Sequence, residues 1–457
     1  MLSPLSNRIY ARLFGAQVIA LLGTGLTTVA LALLAYDLAG VDAGLVLGTA
    51  LAIKMVAYVI LAPVAGSMAQ RLPRRAFLIG LDISRAALVA CLPFVTEVWQ
   101  IYALIFLMQA CSAGFTPTFQ ATIPDVLTDE AEYTKALSLS RLAYDLENLV
   151  SPTLAAAALL LVSFDALFAL NAVAFLVSAA LVFSVILPTP QPVEHQRGVM
   201  DRMTFGIRAY LATPRLRGLL ALSMAVAAAG AMVIVNTVVY VRGYLELGEQ
   251  ETAVLLAAFG AGSMAAALML PRLLDDKPDR IVMAAGGALM AAGLAAGMLM
   301  PPFAPALAIW LVIGVGYSLA QVPSGRLLRR SSSEADRPSY FAAQFALSHA
   351  CWLITYPLAG WLGSAASLTV CFAVLAVIAL AATLLALVVW PAHDPVELEH
   401  THDPMTHEHL HVHDAHHQHE HEGWEGPEPH AHPHRHGPLR HRHAFVIDAH
   451  HKDWPLR

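Results

Sequence analysis

The chain has 457 residues, 57% hydrophobic and only 13% charged, with a mean hydropathy of +0.61. Soluble domains carry roughly 25% charged residues, so this composition excludes a soluble enzyme or a nucleic-acid binder and points to a chain whose apolar surface faces lipid. The net charge of −6 hides two materials: residues 1–391 hold 22 Lys+Arg against 21 Asp+Glu, whereas residues 392–457 hold 5 against 12 and carry 19 of the 21 histidines.

A helix needs about 20 apolar residues to cross a hydrocarbon core of ~30 Å. Twelve segments reach that length: 10–37, 43–68, 75–96, 98–121, 134–162 and 164–187, then 215–242, 251–273, 280–300, 303–328, 338–363 and 367–391. The first is too long for a signal-peptide core and is read as a retained helix. The loops on one side carry Arg71, Arg74, Arg75, Arg197, Arg202, Arg208, Lys277, Arg280, Arg329, Arg330 and Arg337, and the other side offers essentially Arg242. Lys and Arg gather in cytoplasmic loops, which places both termini in the cytoplasm. Cys91, Cys111, Cys351 and Cys371 all fall inside spans without a paired spacing, so no disulfide framework is expected.

A shift of 205 residues lays Arg71–Arg75 on Asp276–Arg280 and Pro152 on Pro357. Two features at one offset predict duplicated six-helix halves with a transport path between them. The domains expected are a first bundle at 1–187, a cytoplasmic linker at 188–214, a second bundle at 215–391 and a disordered tail at 392–457.

Ionisable residues inside a membrane cost about 3 kcal/mol each on insertion scales and are default site candidates. Span 5 is richest, with Arg141, Asp145, Glu147 and Asn148. Arg141 and Asp145 are spaced to pair with each other, while Glu147 has no local basic partner. His349 of span 11 falls beside Asp145 under the repeat offset, so Asp145, Glu147 and His349 form the candidate pathway. A lone histidine is also a common packing residue. Asp82 and Arg85 of span 3 read as a structural or gating pair, and Lys54 of span 2 stands at mid-span, where sequence spacing does not identify its partner. No Gly-x-x-x-x-Gly-Lys-Ser/Thr run exists, so the expected energy source is an ion gradient.

The loop between spans 2 and 3 reads Gly66–Ser–Met–Ala–Gln70–Arg71–Leu–Pro73–Arg74–Arg75. It resembles the Gly-x-x-x-Asp-Arg-x-Gly-Arg-Arg signature of the major facilitator superfamily, with Gln70 in place of the acid and Pro73 in place of the second glycine. The resemblance implies a gating loop at Gly66, Arg71, Arg74 and Arg75. Span 5 carries Ser151–Pro152–Thr–Leu–Ala155–Ala156, similar to the Gly-Pro-x-x-Gly-Gly segment of proton-coupled antiporters. The fold implied is an all-α membrane protein of two pseudo-symmetric bundles.

The tail holds His407, His409, His411, His413, His416, His417, His419 and His421, then His430, His432, His434 and His436, then His441 and His443. Repeated imidazoles suit nickel, copper and zinc, and such a polar segment cannot bury a core. A transporter with this ending resembles the NreB-type nickel-resistance exporters of bacteria. That resemblance implies export of nickel, with cobalt second, in exchange for protons, from a monomer in the inner membrane. It implies no bound cofactor, the metal being substrate and tail ligand. Two other readings stay open: an exporter of drugs or metal chelates with a metal-sensing tail, and a membrane-tethered metal buffer or sensor.

Overall fold

In the computed structural model the described residues are 3–69, 73–129, 157–187, 199–332, 336–394, 397–402, 405–411, 430–436, 439–447 and 454, with isolated positions between 132 and 155. The first half contributes α1 (Arg8–Ala39), α2 (Ala43–Ala69), α3 (Arg74–Ala90), α4 (Val98–Val126) and α5 (Phe164–Phe183). Span 5 of the sequence lies largely outside the described residues, as do Arg141, Asp145, Glu147 and Asn148. A linker helix α6 (Val199–Ala212) leads to α7 (Pro214–Val238), α8 (Glu249–Asp276), α9 (Asp279–Gly297), α10 (Phe303–Gln321), α11 (Ser324–Arg330), α12 (Arg337–Ala365) and α13 (Leu368–Val389). Nine helical segments among the described residues are long and apolar enough to cross a membrane; the first of them, Arg8–Ala57, joins α1 to the start of α2.

Local chemistry sets the helix ends. The Asn7 side chain accepts from the amides of Ile9 at 3.0 Å and Tyr10 at 3.2 Å, satisfying two of the orphan donors of α1. Gly40 closes the same helix at φ +56°, a conformation that costs glycine little, and its amide bonds back to Tyr36. Gln100 returns its side chain to the Glu97 amide at 3.1 Å to start α4.

The outer faces stay apolar and exposed. On α13, Val377, Leu380, Leu384 and Val388 recur at helical spacing and are 49–80% exposed. In water such a stripe would be an aggregation hazard; here it is the face a bilayer solvates. Within each half, helices pack closely: α1 on α5, α2 on α4, α7 on α13 and α8 on α10. The end of the molecule that carries Asn7 and Trp390 is called the near end below, and the opposite end the far end.

The tail composition predicts no regular structure, and the structure differs. It forms β1 (Glu397–His402), β2 (Met405–His411), β3 (His430–His436) and β4 (Leu439–Ala444). β1 pairs with β4 and β2 with β3, both antiparallel, and the two ladders, Glu397↔Ala444 to His402↔Leu439 and Met405↔His436 to His411↔His430, keep the same pairing offset. The physical reason is the alternation His-x-His, which gives the period-2 pattern a strand requires. A two-stranded ribbon is marginal by itself, and this one is held at its base by the second bundle.

Candidate transport site between the bundles

The two bundles meet at the far end through residues without bulk. A Cβ placed on Gly48 of α2 would lie 2.5 Å from the Tyr356 carbonyl, and one on Gly360 of α12 would lie 2.3 Å from the Gly44 carbonyl. Such contacts let helix backbones approach where larger side chains would hold them apart. Gly44 also sits against the Asn236 side chain of α7, whose amide donates to Ala359 O at 2.9 Å. Two polar links join the bundles beside this seam. Arg242, in the π-helical turn Val239–Tyr244 that follows α7, pairs with Asp37 at 2.6 Å and lies 4.6 Å over the Tyr36 ring. The Ser364 hydroxyl donates to Asp42. The molecule is therefore closed at the far end.

From this seam α2 and α12 run antiparallel toward the membrane middle. Gly44 faces Gly360 and Gly48 faces Tyr356, so the same register brings Lys54 level with His349. Lys54 of α2 and His349 of α12 thus lie at about one depth on neighbouring helices of the two bundles. His349 shares one face of α12 with Phe345, Trp352 and Tyr356. The Trp352 ring lies against Gly230 of α7, where a Cβ would meet it at 2.3 Å, and stacks on Tyr356 at 4.8 Å. Exposure rises along the face, from 7% at Tyr356 beside the seam to 51% at Phe345, so the stripe becomes accessible toward the near end.

The His349 ring stacks on Phe345 at 3.8 Å, and its Nδ1 lies 2.7 Å from the Phe345 carbonyl. A carbonyl only accepts, so Nδ1 donates here, and whenever the ring is neutral its lone pair lies on Nε2. That is the nitrogen with which an imidazole binds a cation or takes a proton. Lys54 thus has a neighbour that sequence spacing did not reveal, because the neighbour belongs to the other bundle.

Asp82 and Arg85 do pair, but inside the first bundle. Asp82 is 0% exposed; it accepts from Arg85 and, at 2.7 Å, from Ser178 of α5. The Arg85 guanidinium lies between the rings of Phe115 at 4.2 Å and Phe175 at 4.5 Å. Burial of the two charges is offset by their hydrogen bonds and by the ring faces. The arrangement ties α3 to α4 and α5.

At the near end the loop arginines also bind within their own half. Arg74 pairs with Asp125 of α4. Arg75 donates to the Phe183 carbonyl at the end of α5 and covers the Phe183 ring at 4.7 Å. Gly66 lies on α2, and Arg71 falls outside the described residues. In the second half Asp279 faces Arg326 at 3.6 Å and Arg330 at 3.9 Å, while Arg280 donates to Leu387 O at 2.7 Å and Trp390 O at 2.8 Å. Beyond the membrane-spanning segments, hydrogen bonds from Lys135 and Ser3 hold the Glu132 carboxyl below the usual carboxylate range.

Among the tail histidines, His413, His416, His417, His419 and His421 fall outside the described residues. The ladder sets His407 opposite His434, His409 opposite His432 and His411 opposite His430, with His436 opposite Met405, His441 opposite His400 and His443 opposite Leu398. Among the described residues no group of three or more His, Cys, Asp or Glu side chains comes together as a metal cage.

Two helical bundles meeting at a seam, with many helices long and apolar enough to span a bilayer, are the architecture of a membrane transporter and not of an enzyme. The sequence profile of the Major Facilitator Superfamily matches residues 13–275 and 219–413, and the chain belongs to that family. An uncharacterised MFS-type transporter of Bacillus subtilis (strain 168), YfiS, is 30% identical over 125 residues, a stretch that is 27% of this chain and 30% of that protein. Three solved structures share the fold. A bacterial homologue of the human lysosomal transporter Spinster, inward-facing and unoccupied, superposes with a TM-score of 0.63 at 12% identity over 84% of this chain and 95% of that one. The nucleoside transporter NupG gives 0.61 at 13% identity over 83% and 100%. A D-xylose–proton symporter gives 0.61 at 15% over 85% and 97%.

Proposed function

We propose that the protein is a secondary active exporter of a divalent transition metal, nickel first and cobalt second, driven by proton antiport across a bacterial inner membrane and conferring resistance to the metal. The near end is the cytoplasmic end, because its loops hold the basic residues. On this reading the far-end seam closes the outer side, and the face of α12 bearing His349 receives the cation from within. The carrying observation is the histidine ribbon next to the near end, with four pairs at opposed backbone positions, His400/His441, His407/His434, His409/His432 and His411/His430. Imidazole is a strong ligand for this class of cation, and a ligand-rich element beside the entry would raise the local concentration of cargo.

The exchange needs weak ligands that accept either a proton or a metal. His349 Nε2, Asp145 and Glu147 are the side chains assigned to it, with Arg141 and Asn148 supporting them. A tight cage would not release its ion, so the exchange site is expected to hold its cargo with few, weak ligands. A second reading is export of an organic solute or metal chelate with the tail as sensor. The solved relatives named above include carriers of a nucleoside and of a sugar.

The deciding experiment is nickel flux into inside-out proteoliposomes under an imposed pH gradient, with cobalt and zinc compared. Gradient-dependent uptake that Glu147→Gln abolishes supports the leading reading. No uptake of free nickel by protein that remains folded removes it in favour of the second.

A further inference from the structure

The residues after the histidine ribbon return to the protein body. Phe445 and Ile447 are each 3% exposed, seated among Tyr210, Leu216, Leu219, Tyr340 and Trp390 at the near end of the second bundle. The Tyr340 hydroxyl donates to the Ile447 carbonyl at 2.8 Å. The Trp454 ring meets Phe445 edge to face at 5.1 Å, and the Arg215 guanidinium lies 4.9 Å over it.

The chain leaves for the ribbon from the same place. Trp390 Nε1 donates to Asp394 Oδ2 at 3.1 Å, and Arg330 donates to the Asp394 carbonyl. Arg215 Nε stands 3.7 Å from Asp394 Oδ1. Arg215, itself 1% exposed, therefore touches both the departing strand's root and the returning segment. The ribbon is a closed loop whose two ends share one buried arginine.

We propose that Phe445, Ile447 and Trp454 form an anchor that, together with the contacts of Asp394, clamps the histidine segment at both ends over the second bundle, and that cation capture on the ribbon and docking of the anchor stabilise each other. The inference rests on reading the tail as a divalent-cation ligand. Its physical basis is register. A ribbon clamped at its base closes with Glu397 opposite Ala444, and continuing that register sets four pairs of histidines at opposed positions, from His400 and His441 to His411 and His430. A cation bridging such a pair favours the same register, and a binding event that favours one state of the loop must be favoured by it in return. The anchor also covers the first turns of α7 and α12, so the loaded ribbon reports directly to helices that border the pathway.

The test uses the full-length protein in detergent. Nickel binding is followed by titration calorimetry, and hydrogen exchange is followed at residues 445–447 with and without saturating nickel chloride. The expected result is exchange slowed by about fivefold or more, with nickel binding weakened by a similar factor in the Phe445→Ala/Trp454→Ala protein. A protein lacking residues 397–444, with a Gly-Ser bridge to the retained anchor, should show exchange that ignores nickel. Nickel binding that leaves exchange unchanged and is equal in the double variant overturns the coupling while the cation reading of the tail stands. A nickel response that survives removal of the ribbon overturns it too, and a wild-type protein that binds no nickel overturns both the coupling and that reading.

Discussion

Arg74 and Asp279 occupy the same place in the two halves with opposite charge. Arg74 opens α3 and pairs with Asp125 at the end of α4; Asp279 opens α9 and faces Arg330 at the end of α11. Both partners obey the 205-residue offset, since 74 maps to 279 and 125 to 330. The adjacent arginines follow it as well: Arg75 bonds the carbonyl of Phe183 at the end of α5, and Arg280 bonds those of Leu387 and Trp390 at the end of α13. The repeat therefore preserves a contact and not a residue. An ion pair works in either polarity, so the two halves make the same tie with exchanged charges.

The exchange of charges makes a direct prediction. Asp125→Arg sets two arginines against each other and should lower the melting temperature of the solubilised protein, consistent with loss of about 1–3 kcal/mol for a half-buried pair. Adding Arg74→Asp should restore most of it, because the second half already folds with that polarity. A double reversal no more stable than the single one would show that Arg74 is held by something other than charge.

Gly360 gives a prediction about conformation. A side chain there would press on the Gly44 carbonyl at 2.3 Å, and overpacking of this kind costs about 1–3 kcal/mol. The cost applies only while the far end is closed, so Gly360→Leu should shift the population toward the far-open state by roughly 5- to 150-fold. Accessibility of a thiol at Tyr356→Cys, a position only 7% exposed beside the seam, in a background without the four native cysteines, should rise from the outer side. Unchanged labelling would mean that the seam yields without opening.

How much of this was legible in sequence differs by element. Hydropathy located the spans and the offset located the repeat, because both depend on patterns that a lipid environment enforces along the chain. The far-end seam was not legible. Gly44, Gly48 and Gly360 break no hydrophobic period, and only their four-residue spacing on α2 hints at close approach. The Lys54–His349 proximity crosses between bundles that no local spacing connects. The ribbon was hidden for another reason: composition spoke for disorder, while the alternation of histidines spoke for a strand, and the anchor at Phe445, Ile447 and Trp454 decided between them.

The Asp82–Arg85 pair is expected to govern stability and not transport. Asp82→Ala leaves a buried guanidinium between Phe115 and Phe175 without its counter-charge, a change worth about 3–5 kcal/mol. Asp82→Leu with Arg85→Met removes both charges and should recover much of that loss. Ser178→Ala removes one hydrogen bond to the carboxylate and should cost about 1.5–3 kcal/mol. Thermal unfolding in detergent ranks the three, and folded Ser178→Ala protein should retain its flux. A lost flux with intact stability would move the cluster into the transport cycle.

Lys54 and His349 predict opposite effects on one measurement. If the cation passes His349, Nε2 supplies one ligand, and His349→Ala should weaken nickel binding in protein lacking residues 397–444 by about tenfold, the equivalent of roughly 1.4 kcal/mol. Lys54 places a positive charge beside that ring, and like charges repel. At an effective dielectric of about 20, two unit charges about 4 Å apart repel by about 4 kcal/mol and proportionately less at greater separation, and a divalent ion feels more. Lys54→Met should therefore tighten nickel binding, by about tenfold after screening, and slow its release into the far compartment. Binding is read by calorimetry and release by stopped-flow efflux from preloaded vesicles. Equal affinity in Lys54→Met and wild type would place the cation away from α2, and unchanged binding in His349→Ala would leave that ring as packing for Phe345.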